Sequence, residues 1–160
     1  MKKIMLLITG ITFFYACGGS ETKKESESSS TDVKELYGDD KKTDEDHEKK
    51  GIGKFTHVEV SPTLDTKMAE AGVKVYDVKC AACHKLTDER VVGPGWKNVT
   101  TRHTPEWIMN FSTNTDEMLN KDPKAQAMLE ECLVRMPNQS LSDEEARSVY
   151  EFMRKNDGVK

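Results

Sequence analysis

The feature that most restricts the fold of this chain is the pentapeptide Cys-Ala-Ala-Cys-His at residues 80–84. It places two thiols and an imidazole so close together that all three side chains must serve one local site. The remaining cysteines, Cys17 and Cys132, stand far from it. Cysteines in such different settings do not form a natural disulfide framework. The motif therefore indicates a reactive dithiol, a metal site or the covalent attachment of a prosthetic group.

The surroundings of the motif distinguish these alternatives. A thioredoxin-like dithiol needs a preceding strand within a βαβ unit, and no such pattern surrounds Cys80 and Cys83. A zinc site needs a second pair of ligands, for which Cys132 and His103 are poorly spaced. Cys-x-x-Cys-His is the signature of haem attachment, because two thiols at this spacing reach the vinyl groups on one porphyrin edge. We therefore predict one haem c held by Cys80 and Cys83, with His84 ligating its iron.

The N-terminus resembles a bacterial lipoprotein signal. Two lysines precede a mostly apolar run over residues 4–16, which is shorter than the roughly twenty residues that span a bilayer. Cys17 and then small residues follow. We predict a signal peptide over residues 1–16 and lipidation at Cys17, so that the domain faces the periplasm from a bacterial membrane. The alternative is a plain cleaved signal with an incidental cysteine.

A polar segment separates this anchor from the rest of the chain. Residues 21–50 carry 11 acidic and 7 basic side chains, a net charge of -4, and almost no apolar residues. Such a segment buries too little apolar surface to offset the entropy of ordering it. We predict a flexible tether over residues 17–55, followed by a domain over residues 56–160. The whole chain has a net charge of -4, which argues against a nucleic-acid partner.

The pattern of residues 56–160 predicts an all-α domain. Proline follows a capping side chain at Ser61-Pro62, Thr104-Pro105 and Asp122-Pro123, as is typical of helix N-termini. Ser142 and Glu145 form a capping-box pattern before the last helix. These short helices make a small core, which favours packing around a large apolar group.

The domain resembles class I cytochrome c. In that family a glycine and an aromatic residue on the first helix cross an aliphatic and an aromatic residue on the last. Gly72 and Tyr76 match the first pair, and Val149 and Phe152 match the second. The resemblance implies a small fold of about four to five helices packed around a covalently bound haem.

The resemblance also implies several site residues. Gly93 and Pro94 match a family motif in which the proline carbonyl accepts a hydrogen bond from the ligand histidine. Met136 matches the sixth iron ligand, in a loop before the last helix. Trp96 or Arg102 would hold a haem propionate.

Other residues compete with Met136 as the sixth ligand, and one cysteine is left over. Helix-face methionines are predicted to belong to the core: Met68, Met128 and Met153. The remaining alternatives to Met136 are Met109, Met118 and His103. Cys132 follows the apolar side of its helix, which predicts a buried and inert thiol.

These features predict an electron carrier rather than an enzyme. No catalytic triad or phosphate loop is apparent, and a haem with six ligands has no open site for a substrate. The predicted partners are a quinol-oxidising complex upstream and a terminal oxidase or reductase downstream, such as one for nitrous oxide or nitrite. The alternative is a haem-based gas or redox sensor, or a small haem enzyme, with a labile sixth ligand.

Overall fold

The computed structural model describes residues 49–160. The predicted signal peptide, the lipidation site Cys17 and the tether up to residue 48 lie outside the described residues. Residues 49–160 form helices without any strand, and none of these helices is long and apolar enough to cross a membrane. The helices are α1 (Thr66–Lys79), α2 (Val99–Arg102), α3 (Pro105–Thr113), α4 (Thr115–Lys121), α5 (Pro123–Cys132) and α6 (Asp143–Asn156). The predicted all-α class is confirmed.

Three of the predicted helix starts are confirmed by their capping hydrogen bonds. The Thr104 hydroxyl accepts from the backbone N–H of Trp107 at the start of α3. The Asp122 carboxylate accepts from Ala125 at the start of α5. Ser142 and Glu145 exchange both bonds of a capping box at the start of α6.

The predicted start of the first helix at Ser61-Pro62 is wrong. Helix α1 begins at Thr66, and the Asp65 carboxylate caps it by accepting from the N–H of Met68 at 2.9 Å. The Ser61 hydroxyl instead lies 2.9 Å from the Thr63 hydroxyl. Because the Ser61 hydroxyl is already hydrogen-bonded in this local turn, the hydroxyl is not available to cap a helix.

Two helices were not predicted from the sequence. Helix α2 begins after Asn98, which has a left-handed backbone (φ 57°) and makes no capping bond through its side chain. Helix α4 follows α3 after Asn114 alone, again without a side-chain cap. Packing stabilises α4 instead, because Met118 and Leu119 are both buried in the core.

Helices α1 and α6 cross in close contact at Gly72. A Cβ atom at this position would lie 2.1 Å from the carbonyl oxygen of Ser148 on α6. Tyr76 of α1 packs against Phe152 of α6, with ring centroids 5.3 Å apart. Val149 is also buried in this interface. The pairing that the sequence predicted between the first and last helices is confirmed.

The segment that precedes α1 is fastened to α3 by side chains. Asn110 accepts from the N–H of Phe55 and donates to its carbonyl oxygen, each at 2.9 Å. Glu106 accepts from the N–H of Val58 at 2.9 Å. The predicted tether extends to residue 55, whereas residues 51–55 already contact α3 and α4. The backbone groups of this segment, which belongs to no helix, thus find their hydrogen-bond partners in side chains of α3, and the local sequence does not reveal these partners.

Candidate functional site

The pentapeptide of residues 80–84 forms a tight turn at the end of α1. The carbonyl oxygen of Cys80 accepts from the N–H groups of Cys83 and His84, each at 3.0 Å. Burial raises the pKa of the Cys80 thiol to about 11. A redox-active dithiol requires a thiol with a lowered pKa, so this setting disfavours that alternative. The cysteines of the described region, Cys80, Cys83 and Cys132, are all free thiols.

The His84 ring is held in one orientation by the segment after the motif. Its Nδ1 lies 2.9 Å from the carbonyl oxygen of Pro94, to which it donates. Gly93 lies against the ring, because a Cβ atom there would be 2.4 Å from His84 Cε1. Tyr76 donates its hydroxyl proton to the carbonyl oxygen of His84 at 2.8 Å. Both the ring and the backbone of His84 are therefore fixed from outside the motif.

The protonation state of His84 suits metal binding. Burial lowers the pKa of the ring below its usual value, and the hydrogen bond to Pro94 opposes this only in part. The imidazole is consequently neutral at pH 7. With its Nδ1 proton committed to Pro94, the Nε2 lone pair is the one available to a metal.

Two neighbouring cavities bring the predicted ligands together. The larger has a volume of about 470 Å³ and is lined by Cys80 among others, and the smaller, of about 140 Å³, is lined by Cys83. His84 and Met136 line both cavities. The larger volume lies within the range of pockets for small molecules and cofactors. Residues 84 and 136, which are far apart in the sequence, thus line the same two cavities.

Trp96 and Arg102, predicted as propionate-binding residues, both lie on the wall of the larger cavity. Trp96 is buried, with its ring centroid 5.0 Å from that of Tyr76 and 5.5 Å from that of His84. Arg102 donates to the carbonyl oxygen of Gly95 at 3.0 Å, which leaves further N–H groups of its guanidinium for other acceptors.

The competing candidates for the sixth ligand lie in different places. Met109, Met118 and Met68 line neither cavity, and the sulfur of Met118 accepts from the N–H of Ile52 at 2.9 Å. Met153 and His103 line the larger cavity, and Met128 lines both. Met128 is fixed on α5, whereas Met136 lies in a loop that has more freedom to direct its side chain.

His103 has an environment that the sequence did not indicate. Its ring stacks on Trp107 with centroids 4.0 Å apart, and its buried Nδ1 has no hydrogen-bond partner in the described region. Burial, with help from Arg102 and Lys124, lowers the pKa of His103 to about 4, so the ring is neutral at pH 7. The two residues are four apart, but His103 lies outside the helix that carries Trp107, so helical spacing did not predict their stacking.

Two further features near the cavities differ from the sequence prediction or were absent from it. Cys132 is half-buried, not fully buried as predicted, and lines the smaller cavity. Arg90, which pairs with His84 in an isolated β-bridge, donates to the carbonyl oxygen and carboxylate of Glu131 at 2.8 and 2.9 Å. This contact joins the loop after His84 to the end of α5.

Comparison with known families decides between the alternatives for the motif. The family model for cytochrome c matches residues 69–157. This chain belongs to the cytochrome c family. The prediction of a monohaem class I cytochrome c fold is thereby confirmed.

Solved structures of cytochromes c are similar to this one. A cytochrome c from Rhodothermus marinus is 31% identical with a TM-score of 0.66, and the match covers 70% of this chain and 96% of that one. An engineered form of the same protein, at 30% identity, has a TM-score of 0.66 with the same coverage. The same engineered form bound to a carbene intermediate is 30% identical with a TM-score of 0.63. No match was found among curated proteins.

Membership of the family implies one covalently attached haem c with its iron. The residues present fit this group. Cys80 and Cys83 are free thiols at the attachment spacing, the neutral ring of His84 has an available Nε2, and the cavities beside them are lined mainly by apolar residues. When bound, haem c supplies one-electron redox chemistry. The family therefore supports a haem electron carrier in general terms.

Proposed function

We propose that this cytochrome c is a membrane-tethered electron carrier of a bacterial respiratory chain, with its haem attached at Cys80 and Cys83 and ligated by His84 and Met136. The observation that supports this most is that His84 and Met136 line the same two cavities. His84 and Met136 would hold the iron through an imidazole and a thioether, and a thioether ligand raises the reduction potential. The protein then transfers electrons without binding a substrate.

The chain contributes to this role by holding the axial histidine. The hydrogen bond from Nδ1 to Pro94 fixes the ring and increases the basicity of Nε2. Trp96 and Arg102 would bind the propionates through the indole N–H and the guanidinium. The mostly apolar walls would limit the contact of a bound haem with water, and such a setting favours the less charged reduced state.

Carbon monoxide binding tests the carrier function. The full chain, matured with haem, is reduced and mixed with carbon monoxide while its visible spectrum is recorded. A carrier with two protein ligands on the iron binds the gas slowly or not at all. Rapid and complete binding would contradict the proposal, because it requires an open sixth position.

A sensor or small haem enzyme with a labile sixth ligand is the second candidate. Within the described region, residues 134–141, which include Met136, make no backbone–backbone hydrogen bond, and this favours an easily displaced ligand. The engineered Rhodothermus marinus cytochrome c that holds a carbene intermediate is an example of a related protein that binds a small ligand. Carbon monoxide binding faster than electron transfer would support this second candidate.

The cellular role is proposed from the sequence. The lipoprotein signal supports anchoring through Cys17, with the domain facing the periplasm. The expected electron donor is a quinol-oxidising complex, and the expected acceptor is a terminal oxidase or a reductase, such as one for nitrous oxide or nitrite. Steady-state electron delivery to each purified acceptor identifies the partner, and a failure to reduce any of them would contradict a respiratory role.

Fractionation of cells tests the anchor. The Cys17→Ser protein is expected in the soluble periplasmic fraction, whereas the wild type is expected in the membrane fraction, because acyl chains supply the attachment. Cys132→Ser is the matched control, since it removes one thiol without touching the signal. An unchanged distribution of the Cys17→Ser protein would show that lipidation is not the means of attachment.

A further inference from the structure

The loop over residues 134–141, here called the methionine loop, connects α5 to α6 with few internal restraints. Two hydrogen bonds lie within it, from Gln139 to the carbonyl oxygen of Pro137 and from the N–H of Ser140 to Asn138. No backbone–backbone hydrogen bond joins this loop to another part of the described region. The position of the loop therefore depends on side-chain contacts.

One side chain of the methionine loop makes hydrogen bonds to another element of the described region. The Nη2 group of Arg135 donates to three acceptors on α4: the carbonyl oxygen of Asp116 at 3.3 Å, its carboxylate at 3.2 Å and the Asn120 side chain at 3.0 Å. Asp116 and Asn120 are four residues apart and so share one face of the helix. The guanidinium lies across this face.

Helix α4, which accepts these hydrogen bonds, is packed against the core of the domain. Its inner side carries Met118 and Leu119, which are 0% and 5% exposed. Met118 also accepts from the N–H of Ile52, so the segment before α1 is fastened to the same helix. A side chain bonded to the outer face of α4 is thereby connected to the core.

We propose that Arg135 is a positioning residue for Met136, which directly follows it, and that its contact with α4 determines how easily this sulfur leaves the iron. This inference rests on the proposed ligation by Met136. Pro137 restricts the backbone on the other side of Met136. The ligand therefore lies between Arg135, which is hydrogen-bonded to α4, and a proline of limited backbone freedom. Release of the sulfur requires the loop to move away, and the bonds to Asp116 and Asn120 oppose that movement.

The exposure of the contact sets the size of the effect. The side chains of Arg135 and Asp116 are 44% and 63% exposed. Exposed ion pairs of this kind contribute about 0.2–1 kcal/mol, which corresponds to a change of about 1.4- to fivefold in an equilibrium or rate. Salt also weakens exposed pairs, so ligand release should become easier as ionic strength rises.

The test compares variants of the full chain carrying haem. In Arg135→Ala, carbon monoxide should bind the reduced protein about 1.4- to fivefold faster than in the wild type. As the pH is raised, the charge-transfer band of the methionine-ligated ferric haem should also disappear at a lower pH in Arg135→Ala than in the wild type. Asn120→Ala should show part of the effect, and Arg135→Lys should restore part of it, because lysine keeps the charge without the fork of donors.

Glu117→Gln is the matched control for the charge on α4. Glu117 pairs with Lys121 on the same helix rather than with the loop, so its removal should leave both readouts unchanged. Equal effects of Arg135→Ala and Glu117→Gln would overturn the inference, as would unchanged readouts in Arg135→Ala. A wild-type protein without the methionine band would instead contradict ligation by Met136 itself. Should Arg135→Ala fail to fold, the same comparison is made with Asn120→Ala and Arg135→Lys.

Discussion

The Nδ1 atom of His84 donates to the carbonyl oxygen of Pro94 over 2.9 Å, and Gly93 lies against the same ring. The glycine is needed because any side chain at residue 93 would meet the imidazole. The motif of residues 80–84 thus contains the proposed iron ligand, and the segment ten residues later holds its ring in orientation. This relationship leads to the first prediction.

Gly93→Ala should displace the His84 ring. The added Cβ would lie 2.4 Å from Cε1, so either the ring or the backbone must move, and the bond to Pro94 weakens. We expect a shifted reduction potential and a lower yield of protein with normal iron ligation, measured by redox titration and visible spectroscopy. Val91→Ala, at an exposed position of the same loop, is the control. An unaltered potential in Gly93→Ala would show that the ring does not depend on this contact.

The attachment cysteines are tested by replacing them. The Cys80→Ala/Cys83→Ala double variant should lose haem on denaturation, because no thioether holds it, whereas each single variant retains one possible bond. Cys132→Ala should keep its covalent haem, since Cys132 lies outside the motif. Intact mass and the haem absorbance of the denatured protein measure this. Covalent haem in the double variant would contradict attachment at residues 80 and 83.

Replacement of methionines identifies the sixth ligand. Met136→Ala should lose the methionine–iron charge-transfer band, bind carbon monoxide rapidly and have a lower reduction potential, because the thioether raises that potential. Met128 lines both cavities but lies on α5, so Met128→Ala should keep the band. If the band persists in Met136→Ala and vanishes in Met128→Ala, the assignment moves to Met128.

The crossing of α1 and α6 should not tolerate a side chain at Gly72. In Gly72→Ala the Cβ would lie 2.1 Å from the backbone oxygen of Ser148, which cannot rotate away. Overpacking of this kind destabilises a protein by about 1–3 kcal/mol. Chemical denaturation measures the loss, with Glu70→Ala on the exposed side of α1 as a control expected to stay within about 0.5 kcal/mol. Equal stability of Gly72→Ala and wild type would show that α1 and α6 can move apart enough to accommodate a methyl group without loss of stability.

Glu151 should make stability depend on acid pH. Burial would raise the pKa of this fully buried carboxyl, but hydrogen bonds from Arg147, the backbone of Asp65 and Arg154 outweigh it and hold the pKa below its usual value. The lowered pKa means that the folded state binds this proton less readily than the unfolded state. Its contribution to stability is therefore fully present above pH 4.5 and is lost as pH falls through the lowered pKa.

Glu151→Gln tests this dependence by removing the charge. At pH 7 the variant should be less stable by about 3 kcal/mol, because Arg154 remains buried without its partner. The difference from wild type should narrow as the pH falls below 4.5, measured by denaturation at several pH values. Glu144→Gln, exposed in the first turn of the same helix, is the control. A difference that does not change with pH would show that Glu151 acts only through packing.

The sequence alone determined the features that depend on neighbouring residues. The caps at Thr104, Asp122 and Ser142 are short-range hydrogen bonds, so the residue types at these positions were sufficient to predict them. The Cys-x-x-Cys-His spacing is likewise a local property, and it predicted haem c, which the family comparison supports. At Ser61 a local signal misled, because a hydroxyl that could cap a helix found a closer partner in Thr63.

The tertiary structure decided what depends on distant residues meeting. Helix α4 has no side-chain cap and exists because Met118 is buried, and Arg135 then finds its acceptors on the outer face of that helix. The hydrogen bond from Phe55 to Asn110 likewise joins residues 55 positions apart in the sequence. Such contacts follow from the relative placement of whole helices, which no window of neighbouring residues encodes. The sequence therefore predicted which side chains would carry the haem chemistry, and packing determined which others hold them in place.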